Sequence, residues 1–341
     1  MRLESDYMGL RLRNPLVASA SPLSYTLDGV RRLADGGVGA IVLFSLFEEE
    51  LREQAARDAR VVDRSAESFA EALDYFPSVA REDAGPRRYL SLLERAAAAV
   101  DVPVIASLNG VTPEGWTGYA RAMQESGAAA IELNIYYLPG DPQISGRDVE
   151  QRHLEVLARV KQAVTVPVAV KLSPHLSSPG EMIVRLDEAG AGALVLFNRF
   201  LAPDIDVETL ALSPAVALSS AADGRLPRTW IALLRGRVRA ALAATGGVDG
   251  PDDVARYLLA GADVVMTASA LLRHGPQYAT VLVDGLMGWM ARKGFDTVDD
   301  LRGLLSVAAD TGPAADEPAA YERAAYVTSL RAANRSAYGP W

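Results

Sequence analysis

A lysine closes the apolar run Val166-Pro167-Val168-Ala169-Val170-Lys171. A cation in such surroundings must face an anion, either a bound ligand or a neighbouring carboxylate such as Glu132. Three amides stand at the ends of comparable runs, Asn109, Asn134 and Asn198. Each offers a donor and an acceptor, and together they can read the edge of a flat heterocycle. Taken singly, each is an ordinary turn former. Tyr136 and Tyr137 follow Asn134 by two and three residues. They read either as aromatics covering a site or as a proton-transfer phenol, and a phenol with a pKa near ~10 is a better acid than base at neutral pH. Two further corners, Thr245-Gly246-Gly247-Val248 and Ala268-Ser269-Ala270, carry glycines and small residues. Glycine lets the backbone approach a ligand, and a helix opening on small residues leaves N–H groups free for a phosphate. A tight turn is the plain alternative for the paired glycines.

These residues need a frame, and the chain repeats one. A small-residue step leads into a short apolar run at Gly37-Val38-Gly39-Ala40-Ile41-Val42-Leu43-Phe44. It recurs at Gly127 to Asn134, Gly190 to Phe197 and Gly261 to Thr267, interleaved with Val102 to Ser107 and Val166 to Lys171. Continuous apolar runs suit parallel strands buried on both faces. The pattern predicts eight strands, at 16–20, 40–44, 104–107, 130–134, 168–172, 193–197, 240–245 and 263–267. Helices are expected at 28–35, 87–100, 148–164, 228–235 and 251–259. Others open near Pro113, with Thr112 as cap, and at Pro179; from Leu271 onward the chain reads as mostly helical. A short strand is possible at 215–218. The fold class that follows is α/β, a (β/α)8 TIM barrel over residues 1–305. Residues 48–85 form an inserted segment over the mouth, and 306–341 a polar linker with a helical tail. A doubly wound open sheet is the alternative, but Ala18-Ser19-Ala20-Ser21-Pro22 is not the glycine-rich loop it needs. In a barrel, the residues that end the strands carry the chemistry.

Composition narrows the partners. Net charge is −9 with no basic cluster, which argues against nucleic acid. There is no cysteine, so neither a disulfide framework nor a thiolate metal site exists. His153, His175 and His274 lack metal-ligand spacing and read as surface or second-layer residues. No apolar run approaches the ~20 residues that span a membrane, and the N-terminus lacks a signal-peptide core, so the cytoplasm is the expected location.

In order and spacing, the segments resemble the dihydroorotate dehydrogenase family, flavin-dependent barrel enzymes. Asn14-Pro15-Leu16-Val17-Ala18-Ser19-Ala20 is similar to its first strand and flavin-facing turn, Ile131-Glu132-Leu133-Asn134-Ile135 to its fourth-strand signature, and Val166 to Leu172 to its lysine-bearing strand. Ala244-Thr245-Gly246-Gly247-Val248 and Gly261 to Leu271 resemble its phosphate-binding pair. The resemblance implies that Ala18, Ser19, Asn109, Asn134, Lys171, Gly246, Gly247, Ala268 and Ser269 hold flavin mononucleotide (FMN). It also implies that Ser45, Asn134 and Asn198 meet the substrate, and it suggests a homodimer. The departures are equally informative. The family's proton-abstracting cysteine or serine falls here on Tyr137, and the lysine usual at the end of the second strand falls on Phe44, followed by Ser45. The glycine-rich stretch after the sixth strand is reduced to Ala222-Asp223-Gly224-Arg225.

The expected function is therefore an FMN oxidoreductase passing a hydride between flavin N5 and a small cyclic, dihydropyrimidine-like molecule. Tyr137 and Lys171 are the catalytic candidates, and the phenol leans the reaction toward reduction. Any iron–sulfur relay must come from an electron-transfer partner, since no cysteine is available. Two other readings share the phosphate corners. One is a flavin-binding subunit without catalysis; the other is a lyase or isomerase in which Lys171 forms a Schiff base.

Overall fold

The computed structural model describes residues 1–52, 85–110, 116–136, 140–199, 204–213, 217–309, 323 and 326–332. Eight parallel strands close into a barrel: β1 (Leu16–Ala18), β2 (Ala40–Phe47), β3 (Val104–Asn109), β4 (Ala130–Asn134), β5 (Val168–Leu172), β6 (Ala193–Leu196), β7 (Ala241–Thr245) and β8 (Val264–Thr267). Neighbours in space follow the chain, and β8 pairs with β1 to shut the ring. Helices return the chain between strands: α1 (Leu27–Asp35), α2 (Pro86–Ala99), α3 (Trp116–Glu125), α4 (Gly146–Ala163), α5 (Pro179–Glu188), α6 (Arg225–Leu234) and α7 (Pro251–Ala260). After β8 come the short α8 (Ser269–His274), the long α9 (Tyr278–Lys293) and α10 (Val298–Leu301).

Alternation along each strand divides the apolar residues into two cores. Outward residues such as Ile41, Leu133, Val170 and Leu194 pack beneath the helices in one continuous shell. Inward residues, among them Val42, Ile105, Ala169, Val195 and Met266, fill the barrel. The lower end is closed by a hairpin, Ser5–Tyr7 paired with Leu10–Leu12, whose Tyr7 and Leu12 join the inner core. Met8 and Gly9 make its two-residue turn with φ of 57° and 80°, the double left-handed geometry that matches strand twist.

All eight strands fall where the apolar runs predict, but β2 runs three residues further, to Phe47. Its pairing with β3 jumps from Val42↔Ile105 to Ser45↔Ser107, so Leu43 and Phe44 together oppose one residue of β3. Between β6 and α6 stands a hairpin that the sequence pattern missed, Asp204–Asp206 with Ala211–Ser213. Its turn is set by Asp206, whose Oδ1 accepts the N–H groups of Glu208 and Thr209 at 2.9 and 3.1 Å. α6 starts at Arg225 rather than 228, on a 3-10 turn at Ala221–Gly224. Most of the expected insertion, the Thr112–Pro113 helix start and residues 215–216 of the expected extra strand lie outside the described residues. Ala217 and Leu218, the described end of that expected strand, are not in strand conformation. At the far end the chain stays packed on the barrel as far as Val307, which is buried.

Candidate active site

A cavity of about 220 Å³ opens at the C-terminal ends of the strands. Ser19, Lys171, Asn198, Gly246, Ala268 and Ser269 all line it, brought together from β1, β5, β6, β7 and β8. Among the described residues, no aspartate or glutamate lines it, whereas Lys171 and Arg199 do. A larger space of about 530 Å³ lies at the opposite face, lined by Arg235, Asp263 and Arg302. There Asp263 engages Arg235 at 2.9 Å and Arg302 at 3.6 Å, so the charges are mutually satisfied. The smaller cavity is the one that gathers strand-end chemistry.

Lys171 faces inward because β5 alternates: Val170 and Leu172 enter the outer shell, Ala169 and Lys171 the barrel. The residue is 7% exposed, and its ammonium donates to Ser19 Oγ and Glu132 Oε1, each at 3.5 Å. The lysine thus pairs with Glu132, as the carboxylate alternative expects, and it also borders the cavity. Glu132 Oε2 has no hydrogen-bond partner among the described residues.

Two of the three amides meet. Asn198 Nδ2 donates to Asn134 Oδ1 at 2.8 Å, and Asn198 Oδ1 accepts the Arg199 N–H at 2.9 Å. Each of those two Asn198 atoms keeps a further hydrogen-bonding position, and Asn198 is the amide that lines the cavity. Asn109 stands beside Asn134 in register on β3, and neither of these two lines the cavity.

The glycine corner splits into two roles. Gly246 has φ of 89°, and a Cβ placed there would meet no described atom within 4 Å. Gly247, at φ 67°, lies against the Gly224 nitrogen, 2.1 Å from where its own Cβ would be. Gly246 therefore leaves room for a ligand, and Gly247 lets two loops touch. Ser219, which the sequence pattern did not single out, ties them: its N–H donates to Ser269 Oγ at 3.0 Å and its Oγ accepts from Gly247 N–H at 3.4 Å. The available signal was Ser220-Ala221-Ala222-Asp223, a capping box that opens a helical turn directly after it. Tyr257 locks the corner from below by donating to the Gly246 carbonyl at 2.6 Å. Burial pushes its hydroxyl well above the ordinary tyrosine range, so it remains a donor. α8 begins with no side-chain cap, leaving first-turn N–H groups directed at the same space.

Two further expected contacts, Ala18 and Ser45, lie elsewhere. Ala18 belongs to the outer shell beneath the helices, so of the Ala18–Ser19 pair only Ser19 borders the cavity. The bulge in β2 turns Phe44 outward between Tyr25 and Tyr89, with ring centroids 4.3 and 5.0 Å away. Ser45 takes the inward register and shares a hydrogen bond with Ser107 Oγ at 2.8 Å, but it borders a neighbouring space rather than the cavity of Lys171. Tyr136 is half-buried, and Tyr137 lies outside the described residues. Of the two readings of His153, surface or second layer, the structure fits the second: it is buried behind β4, with Nδ1 2.8 Å from the Val149 carbonyl. Burial lowers its pKa, against the opposing pull of the Val149 and Ile135 carbonyls and Glu150.

The arrangement suits a ligand with an anionic end at the Gly246–Ser269 corner and a polar flat part near Lys171 and Asn198. The family model for dihydroorotate dehydrogenase matches residues 2–290. The catalytic subunit of dihydroorotate dehydrogenase B (NAD(+)) from Methanothermobacter thermautotrophicus is 28% identical over 311 residues, 89% of this chain and 98% of that protein. The putative dihydroorotate dehydrogenase A (fumarate) of Aeropyrum pernix is 26% identical over 88% of this chain and 96% of its own. The catalytic subunit from Caldicellulosiruptor saccharolyticus is 22% identical over 90% of this chain and 100% of its own. A match that runs from the lower hairpin into α9 spans every strand of the barrel, and by it the chain belongs to the dihydroorotate dehydrogenase family.

Proposed function

We infer that the chain is an FMN-dependent oxidoreductase acting on a CH–CH bond of a small cyclic, dihydropyrimidine-like substrate. The observation that carries this reading is the shared cavity. One ammonium, one open glycine corner and one uncapped helix start border the same space, with no described carboxylate in its wall. The fit to FMN is chemical. Gly246 and the start of α8 suit the phosphate, and Ser219 and Ser269 brace that corner. Lys171 suits the electron-rich edge of the ring. FMN, when bound, supplies the hydride acceptor or donor at its N5 atom. The protein's part is to bind, orient and manage protons. Lys171 holds a positive charge where negative charge develops. Asn134 fixes Asn198 so that its remaining N–H meets a substrate carbonyl. Tyr137 replaces the family's cysteine or serine as the proton-transfer residue, and its acidity favours the reductive direction.

The relatives named as catalytic subunits support an assembly with a second, electron-transferring protein, alongside a homodimer of this chain. Because the chain has no cysteine, any iron–sulfur relay would sit on that partner. A cytoplasmic location is part of this reading. Among the described residues, no helix is long and apolar enough to cross a membrane.

The test is the visible spectrum of the freshly purified protein, followed by anaerobic titration with L-dihydroorotate. Bound flavin that bleaches on titration gives the family reaction. Bound flavin that dihydroorotate leaves oxidised, but a related cyclic substrate turns over, gives the altered substrate; Tyr137→Phe then slows turnover at least tenfold. A protein that takes up no FMN, and that borohydride crosslinks to a carbonyl substrate at Lys171, overturns the reading.

A further inference from the structure

Two polar atoms inside the barrel have no hydrogen-bond partner among the described residues, Glu132 Oε2 and the Tyr7 hydroxyl. Both residues are almost wholly buried, at 1% and 0% exposure. They are neighbours by construction of the fold. Tyr7 rises from the lower hairpin into the inner core, of which Ala130 and Ala169 are also members. Those two residues sit one inward step below Glu132 and Lys171 on β4 and β5. Burial, then the nearby Glu132 and Asp263 carboxylates, hold the Tyr7 hydroxyl far above its ordinary pKa, so it is always a donor. Asp263 is already engaged by Arg235 and Arg302, whereas one oxygen of Glu132 is not. Tyr89, the other phenol that feels Glu132, is bonded to the Ser107 backbone. A buried donor and a buried acceptor in one small space do not stay apart without cost, and an internal water commonly joins such a pair.

We propose that Glu132 is a positioning residue: Oε1 holds the Lys171 ammonium at the cavity wall, while Oε2 is linked, through one internal water, to the Tyr7 hydroxyl. The lower hairpin thereby reaches the upper site along the barrel axis. The placement of the ammonium depends on a residue that borders no part of the cavity. The relevance of this link to the cofactor rests on the functional reading above, but the link itself does not.

The chain has only three lysines, Lys161, Lys171 and Lys293. Selective ¹⁵N-lysine labelling of the full chain therefore gives three side-chain Nζ signals, with Lys171 identified by its loss in Lys171→Arg. Tyr7→Phe removes one hydroxyl and nothing else. The expected result is a shifted or broadened Lys171 Nζ signal, unchanged Lys161 and Lys293 signals, and a lower melting temperature. If the hydroxyl were truly unlinked, its deletion would relieve a buried polar group and raise the melting temperature. A raised melting temperature with an unmoved Lys171 signal overturns the proposal. Glu132→Gln keeps the shape and removes the charge, and it should move the same signal further; an unmoved signal there also overturns the proposal. Should Glu132→Gln fail to fold, Tyr7→Phe carries the test alone. None of these readouts uses FMN. Failure of the link is therefore separable from failure of the cofactor reading, which the spectrum of the unaltered protein decides.

Discussion

The Tyr89 hydroxyl serves both backbone groups of Ser107: it accepts the Ser107 N–H at 2.8 Å and donates to its carbonyl at 3.4 Å. Ser107 lies on a barrel strand, where a neighbouring strand would ordinarily supply such bonds. The bulge in β2 interrupts the ladder at this point, and α2 repairs it with a phenol. The same bulge sends Phe44 outward into the gap between Tyr89 and Tyr25. An aromatic side chain at position 44 is therefore built into the wall outside the barrel. It is not a substitute for an inward cation.

Tyr89→Phe should accordingly destabilise the protein by about 1–3 kcal/mol, since it leaves a buried N–H without a partner. Phe44→Lys should also destabilise it and should bring no new charge to the cavity, because position 44 faces away from it. Thermal melts of both variants, read with cofactor content, check this. A Phe44→Lys protein that melts like the parent and binds an anionic ligand more tightly would show that the bulge does not fix the side-chain direction.

The two corner glycines should respond in opposite ways to alanine. Gly246→Ala adds a methyl where no described atom lies within 4 Å, at a φ of 89°. The left-handed strain costs about 1 kcal/mol, so the fold survives, but the methyl points into the cavity and FMN uptake should fall at least tenfold. Gly247→Ala puts its methyl 2.1 Å from the Gly224 nitrogen, backbone against backbone. Its main effect should be a much lower melting temperature. Melting temperature and flavin content, measured side by side, separate the two roles.

Much of this fold is legible in the sequence because each strand announces itself locally. A glycine–alanine step and an apolar run specify β2, β4, β6 and β8 without reference to any other part of the chain. Lys171, Gly246 and Ser269 are legible for the same reason, as polar or small residues at the ends of those runs. What escapes are relationships between segments. The bulge is a mismatch between the spacing of β2 and that of β3, and neither strand shows it alone. Ser219 matters because it reaches Ser269, fifty residues away. Tyr7 sits in a three-residue strand, too short to produce a period, and its place in the inner core follows only from closing the barrel.

His153 gives the acid side of the stability profile. Its folded pKa lies below the ordinary histidine value, so the unfolded chain takes up a proton first as pH falls. The stabilising contribution is fully present above the unfolded value of about 6.5 and is lost as pH drops through the folded value. The melting temperature should therefore decline as pH falls below the unfolded value of about 6.5, and His153→Gln should flatten that decline relative to the parent. Equal slopes for the two proteins would show that another group sets the acid limb.

The ion pair inside the barrel separates stability from function most sharply. Lys171→Met alone leaves Glu132 buried and unpaired, a loss of about 3–5 kcal/mol. Adding Glu132→Met removes the stranded charge, and replacing a buried pair by apolar side chains of similar size is often neutral or stabilising. The double variant should therefore recover most of the parent's melting temperature. It should not recover flavin binding or turnover, because the cavity has lost the only cation that β5 brings to it. Flavin content after reconstitution and the thermal melt decide the point together. A double variant that is both stable and yellow would mean that the pair serves the fold alone, and that the ring is held by the amides and the phosphate corner without it.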